Sequence, residues 1–250
     1  LQRFRIDYNG TKNLNPNTST ILDFKIIRYA DLLYDSYLVM NLPTIYSPIY
    51  HYETEEGIEN KSKNGHEYAP YEFKWIEELG TNMIEEIEIY SGGISLAKYS
   101  GEYLNCMKER DFSTEKKDLW DRMTGNISEL NDPANANGYI NSYPNTVWSK
   151  PAGLSPEPSI RGRKLYIPMD AFFCDSSKMA LPLVALQYQE VSIRIEIKPI
   201  MDLYTINNVN EIPEQLSGLT YRMRPNKNVL EHQLWRFLQP PKDASANTIL

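Results

Sequence analysis

With 250 residues and 41% hydrophobic side chains, the chain has enough apolar material for a real core, in one large all-β domain or two small ones. A net charge of −7, a pI near 5.2 and the lack of a basic stripe argue against a nucleic-acid binder held by phosphate contacts. No apolar run reaches the roughly 18 residues of a membrane span, and the N-terminus lacks the charged-then-apolar order of a secretory signal.

In chain order, Arg3 to Tyr8 alternates weakly, with Phe4, Ile6 and Tyr8 on one side, and Asn9-Gly10 is a turn signal. This predicts an edge strand over 3–8. A second strand is expected over 21–28, where Leu22, Phe24 and Ile26 oppose Asp23 and Lys25. Ser36 to Leu42 is apolar on both sides and reads as a central strand covered on both faces, ended by Pro43. Thr44 to Tyr71 is polar, acidic and tyrosine-rich, and is expected to be an exposed loop. Tyr71 to Gly80 (YEFKWIEELG) reads as a short helix with a glycine stop.

Met83 to Tyr90 alternates, with Met83, Ile87 and Ile89 inward, Glu86 and Glu88 outward, and Glu85 out of pattern. Gly92-Gly93 turns the chain into Ile94 to Tyr99, which makes a hairpin. The period then becomes helical through Tyr103, Met107 and Arg110, and a second helix starts after Ser113 as N-cap and runs to Gly125. Asn126 to Arg161 has no sustained period and is placed outside, at a contact surface.

The stretch Gly162 to Ile200 organises the rest. Lys164 to Met169 is a short strand interrupted by Pro168, and Ala171-Phe172-Phe173-Cys174 has no polar face and is expected to plug a core. Met179 to Tyr188, broken by Pro182, reads as a buried turn feeding the clearest strand of the chain. In that strand Val191, Ile193, Ile195 and Ile197 alternate with Ser192, Arg194, Glu196 and Lys198. Val229 to Leu238 is one more element of ambiguous type. Leu1 stands where an initiator Met would, so a longer polypeptide is expected.

Chemistry-bearing residues do not converge. His51, His66 and His232 lack metal-ligand spacing and read as surface histidines. Cys106 and Cys174 read as buried structural thiols in a reducing compartment. No nucleophile elbow, phosphate loop or dinucleotide fingerprint is present. Glu86 and Glu88 share a strand face, a pairing that glycosidases use, but a solvated face accounts for them, as it does for the acidic run Glu53 to Glu59. Four N-x-S/T triplets, at Asn9, Asn17, Asn60 and Asn126, fall in or beside loops. Tyr46, Tyr50, Tyr52, Tyr68 and Tyr71 cluster around one loop, which suits either a protein interface or packing at a core edge.

The segments RYADLLYDSYLVMNLP (Arg28 to Pro43), FKWIEELGTNMIEEIEIYSGG (Phe73 to Gly93), GEYLNCMKERDFSTEKKDLWDRMTG (Gly101 to Gly125), RGRKLYIPMDAFFC and MALPLVALQYQEVSIRIEIKPI stand in an order that resembles the major capsid proteins of nucleocytoplasmic large DNA viruses. The most specific part is LPLVALQYQEV at Leu181 to Val191, supported by RYADLL and by the W-x-x-x-L-G-x-x-x-I run from Trp75 to Ile84. One departure is Phe172-Phe173, where the family commonly has Trp-Phe.

The resemblance implies an all-β fold with short helical insertions: an eight-stranded jelly-roll β-sandwich, the first roll of a double jelly roll and incomplete in this chain. Its strands would lie near 3–8, 21–28, 36–43, 82–90, 94–99, 163–168 and 189–199. Residues 1–205 would form this roll, with long loops 44–71 and 126–161, and 206–250 would lead toward the last strand and a second roll. The implied function is structural: a homotrimeric, pseudo-hexagonal capsomer tiling an icosahedral shell of the virion, assembled in the host cytoplasm. Its partners would be further copies, neighbouring capsomers, minor capsid proteins and an inner membrane, with no direct nucleic-acid contact. No catalytic residue, cofactor or metal is expected. The alternatives are a minor capsid or scaffold protein sharing the roll, and a carbohydrate-binding or hydrolysing jelly roll. The dispersal of Trp75, Trp120, Trp148 and Trp235 among helices and loops speaks against the latter.

Overall fold

The computed structural model describes residues 2–8, 10, 13–47, 49–51, 68–146, 157–186, 189–207 and 222–240. Its strands are β1 (Thr20–Lys25), β2 (Leu32–Leu33), β3 (Tyr37–Leu42), β4 (Ile49–His51), β5 (Tyr68–Pro70), β6 (Lys74–Trp75), β7 (Ile84–Ser91) and β8 (Ile94–Tyr99). After these come β9 (Arg163–Pro168), β10 (Leu181–Pro182), β11 (Val191–Ile197), β12 (Tyr204–Asn207) and β13 (Arg222–Met223). The helices are α1 (Leu79–Asn82), α2 (Gly101–Asp111), α3 (Thr114–Thr124) and α4 (Ser128–Asn131). No helix among the described residues is long and apolar enough to cross a membrane. The chain forms two units, the first from Leu1–Met40, Glu78–Asn126 and Lys164–Ile200, the second from Asn41–Glu77, Ile127–Arg163 and Met201–Leu250.

Alternation builds the main sheet of the first unit. Because successive side chains of a strand point to opposite faces, the β11 sequence buries Val191, Ile193, Ile195 and Ile197 together. β11 sits between β1 and β7, and β8 closes the four-stranded antiparallel sheet in the order β1-β11-β7-β8. Leu22, Ile87 and Ile89 complete its buried face. The break at Glu85 has a structural cause. Glu196 opposes Glu86 while the next residue, Ile197, opposes Ile84, so Glu85 is the extra residue of a β-bulge and β7 buries Ile84 and Ile87 on either side of it. Gly92 and Gly93 have φ of 56° and 84°, the left-handed conformations that a two-residue hairpin turn requires.

Both longer helices start on serine caps. The Ser100 side chain accepts from the Tyr103 N–H, and the Ser113 side chain accepts from the Lys116 N–H. Gly125, at φ 86°, ends α3 in the left-handed conformation. α2 buries Leu104, Met107 and Lys108, so Tyr103 and Arg110 of the expected helical stripe lie outside instead. A Cβ at Gly101 would stand 1.9 Å from the Thr81 carbonyl oxygen, so only glycine lets α2 start against α1.

Several expectations are corrected. Residues 3–8 form no strand: Phe4 stacks on Tyr29 and Tyr8 tilts against Phe24, so the aromatics meet other rings rather than a ladder. β3 is not covered on both faces; it pairs with β9, buries Leu38 and leaves Tyr37 and Val39 exposed. In the block expected to plug a core, Ala171 and Phe173 are buried but Phe172 is exposed. The turn before β11 buries Leu183 but leaves Met179 and Val184 exposed, because β10 pairs with the two-residue β2 at a surface.

The thiols also differ from expectation. Cys106 is exposed on α2, whereas Cys174 is half-buried and burial pushes its thiol up to about 11. At pH 8 only about one Cys174 in a thousand is then thiolate. An aromatic disulfide reagent should titrate Cys106 quickly, with Cys174 appearing only on denaturation; two fast equivalents in the native protein would contradict this placement.

The second unit contains the sheet β13-β12-β6. Here YEFKWIEELG is not one helix ended by its glycine: only Leu79 and Gly80 are helical, at the start of α1. Tyr71, Phe73 and Trp75 are buried and alternate with partly exposed Glu72, Lys74 and Ile76, which is strand periodicity, and Trp75 and Lys74 pair with Tyr204 and Thr205 of β12. Phe73 stacks on Tyr204 at 4.7 Å and meets Trp75 at 5.0 Å and Phe237 at 5.2 Å between ring centroids. Val229 to Leu238 resolves into two 3₁₀ turns, Leu230–His232 and Leu234–Leu238.

Candidate functional site

The carboxylates of the main sheet make a charge ladder. Asp23, Arg194, Glu88 and Lys98 lie opposite one another across β1, β11, β7 and β8. Arg194 reaches Asp23 at 3.2 Å and Glu88 at 3.4 Å, and Lys98 reaches Glu86 at 2.8 Å. The charges of Asp23, together with its hydrogen bond, raise the Arg194 guanidinium above its ordinary value. Glu86 and Glu88 therefore each serve a cation on an outward face, as the solvated-face reading expects.

The other candidates also resolve individually. His232 is buried, not a surface histidine. Its Nδ1 accepts the Asn226 N–H at 3.0 Å, and its carbonyl accepts the Tyr204 hydroxyl at 2.7 Å, because the 3₁₀ turn folds it against the aromatic core. His51 lies in β4 with its side chain outside the described residues, and His66, Glu53 to Glu59, Asn9, Asn60 and Trp148 also lie outside them. Among the described residues no group of three His, Cys, Asp or Glu is placed to hold a metal ion. Asn17 is exposed, whereas Asn126 Nδ2 donates to Glu78 Oε1 at 3.1 Å and its Oδ1 accepts the Glu78 main-chain N–H at 3.2 Å. Trp75 and Trp120 are buried and Trp235 is exposed. Of the tyrosine cluster, Tyr71 is core and Tyr46 half-buried, while the side chains of Tyr50, Tyr52 and Tyr68 lie outside the described residues.

What no sequence signal marked is a set of buried hydroxyls in the second unit. Ser159 Oγ accepts the Ser47 N–H at 3.1 Å and lies 3.0 Å from Thr146 Oγ1. Ser47 Oγ accepts the Phe73 N–H at 3.3 Å, the Ser47 carbonyl accepts the Thr146 N–H at 3.0 Å, and the Tyr143 hydroxyl donates to the Phe73 carbonyl at 2.7 Å. Burial raises the Tyr143 hydroxyl far above the ordinary phenol value, so it is a fixed donor. An Ile45–Ile160 bridge joins the same segments. Each hydroxyl meets main chain or another hydroxyl, an arrangement that holds chain segments rather than activating a nucleophile.

This clamp corrects the reading of 44–71 and 126–161 as wholly exposed loops. Their inner ends, at Ile45, Ser47, Tyr71, Tyr143, Thr146, Ser159 and Ile160, are buried and tied to one another, and 52–67 and 147–156 lie outside the described residues. Beside it Glu72, at φ 41°, accepts Asn207 Nδ2 at 2.5 Å on its carboxylate and Arg222 Nη1 at 2.6 Å on its carbonyl. Burial lowers the Arg222 guanidinium, against the Glu72 charge that raises it.

The buried hydroxyls hold described chain segments to one another, and comparison with known proteins gives the chain its family. The chain is 27% identical over 205 residues to the major capsid protein of Chrysochromulina ericina virus, covering 75% of this chain and 34% of that protein. It is 26% identical over 175 residues to the major capsid protein of Phaeocystis pouchetii virus, covering 70% and 30%. The chain thus spans about a third of the length of these curated relatives. Among solved structures, the Faustovirus major capsid protein superposes with a TM-score of 0.54 at 13% identity over 81% of this chain and 43% of that one, so the two share a fold. The family model described as major capsid protein N-terminus matches residues 4–227, and the chain belongs to that family of capsid proteins of large DNA viruses.

Proposed function

We propose that the chain is the N-terminal part of a capsid subunit and works by assembly rather than catalysis. The observation that carries this reading is the match of the capsid family model to residues 4–227. In this reading residues 1–205 make the first, eight-stranded jelly roll of a double jelly roll, and 206–250 lead toward its last strand and the second roll. Three copies form a pseudo-hexagonal capsomer, and capsomers tile an icosahedral shell in the virion, assembled in the host cytoplasm with minor capsid proteins and an inner membrane as further partners. The clamp at Ile45, Ser47, Tyr143, Thr146 and Ser159 supports the reading, because residues already held in place cost less to order on association.

Light scattering on the protein eluting from a size-exclusion column tests the proposal. A species of three times the mass of the full-length subunit that persists on dilution is the expected result. A strictly monomeric protein at high concentration would overturn it.

A further inference from the structure

In the first unit, residues 2–8 lie along a sheet edge without joining it. β1 is the end strand of the main sheet, so one of its sides has no ladder partner among the described residues. The Ile26 N–H donates to the Val191 carbonyl at 2.9 Å, which makes these two a hydrogen-bonded pair. By alternation the N–H and C=O groups of Ile21, Asp23 and Lys25 then face the open side. Residues 2–8 run past that side. The Tyr8 hydroxyl donates to the Ile21 carbonyl at 3.5 Å and the Tyr8 ring tilts against Phe24 at 5.8 Å, while Phe4 stacks on Tyr29 at 4.8 Å. As the numbering falls from 8 to 4 the partner rises from 24 to 29, so the segment is antiparallel to β1, the direction an added strand would take. Arg5 and Asp7, which alternate with these rings, pair with each other at 2.7 Å and stay exposed, as residues two apart do in an extended chain.

An open strand edge is a template for pairing with another chain, and folded proteins cover such edges. The cover here is shallow: Phe4 and Tyr29 are 48% and 56% exposed, so ring contacts rather than a ladder hold the segment, and it can lift without disturbing the sheet. Gly10 belongs to the same device, because a Cβ there would stand 2.3 Å from Tyr8 Cζ and push the ring out of its place. We propose that residues 2–8 are a strap that covers the open edge of β1 and keeps the β1 edge of a second copy from pairing with it. A second copy is the competitor because an antiparallel edge is self-complementary about a two-fold axis. In the register that sets Asp23 of each copy against Lys25 of the other, both residues offer their main chain to the partner and opposite charges lie across the pair. The strap goes beyond the capsomer reading and does not rest on it.

The experiment is hydrogen exchange resolved to single amides at low protein concentration, followed by sedimentation velocity over a concentration series. It uses the full-length subunit and its Phe4→Ala/Tyr8→Ala, Gly10→Ala and Phe4→Ala/Tyr8→Ala/Ile21→Pro variants, each first checked for native circular dichroism. Phe4→Ala/Tyr8→Ala should exchange the amides of Ile21, Asp23 and Lys25 about 10-fold faster, with those of β7 and β11 unchanged. At higher concentration it should form species above the mass of the unmodified protein. Gly10→Ala, which displaces the Tyr8 ring and keeps both aromatics, should move exchange the same way by less. Ile21→Pro removes an N–H that faces the open side and no bond to β11, so it should abolish the added association. Unchanged exchange at the three amides would show that the segment does not cover the edge, and faster exchange throughout the sheet would show that the rings belong to the core; either overturns the proposal. Association that survives Ile21→Pro, or no added association at all, overturns it as well. The capsomer reading is decided separately, by the mass of the unmodified protein.

Discussion

Replacing Phe73 by alanine is expected to destabilise the second unit by about 3–5 kcal/mol, the range for deleting a fully buried phenylalanine. The Phe73 ring is fully buried among Tyr204, Trp75 and Phe237, and its main chain holds the clamp by accepting from Tyr143 and donating to Ser47. Deleting it leaves a cavity where three rings meet and loosens the point to which both long segments are tied. Chemical denaturation should show the lowered midpoint. Hydrogen exchange should show faster exchange at the amides of Ile45, Thr146 and Ile160, which the clamp holds. Phe73→Leu, which keeps most of the volume, should recover more than half of the loss. Unchanged stability in Phe73→Ala would mean that the aromatic cluster is not the core of this unit.

Lys108→Met is the second large effect, with an expected loss of about 3 kcal/mol in the first unit. Lys108 has 3% of its side chain exposed and lies 2.5 Å from Glu78 and 3.1 Å from Asp121, so it joins the residue preceding α1 to α2 and α3. Removing it leaves two carboxylates facing each other without their cation. Their side chains are 24% and 29% exposed, so water softens the penalty to the lower end of the range for a broken buried pair. Burial alone would lower the Lys108 ammonium; the hydrogen bonds and charges of Glu78 and Asp121 outweigh it and hold the group above its ordinary value.

The pH dependence follows from that direction. A lysine raised in the folded state contributes its full stability below the unfolded value of about 10.4, and the contribution is lost as pH rises through the higher folded value. The gap between the protein and Lys108→Met should therefore stay constant from about pH 6 to 9 as far as Lys108 is concerned and close only in strong alkali. Thermal unfolding across that range is the measurement. Lys108→Met/Glu78→Gln/Asp121→Asn should recover part of the loss, because neutral amides do not repel each other; a triple variant no better than the single would show that packing, not charge, sets the cost.

The strict alternation of β11, the alternation of β7 with its one break at Glu85, the Gly92-Gly93 turn and the serine cap of α3 were all legible in the sequence. Each depends on neighbours within a few residues. The order of the segments also carried the family, through LPLVALQYQEV and the runs before it. The strand at Lys74–Trp75 was not legible: YEFKWIEELG fits a helical face as well as a pleated one, and only Tyr204, far along the chain, selects the strand by pairing with Trp75. The same holds for Lys108, which reads as an ordinary helix lysine until Glu78 and Asp121 close on it, and for Ser47, Thr146 and Ser159, small polar residues in polar stretches. Their burial is a property of the assembled unit. Periodicity in a chain encodes which face is apolar, but desolvation and hydrogen-bond partners are set by residues that only the tertiary fold brings within reach.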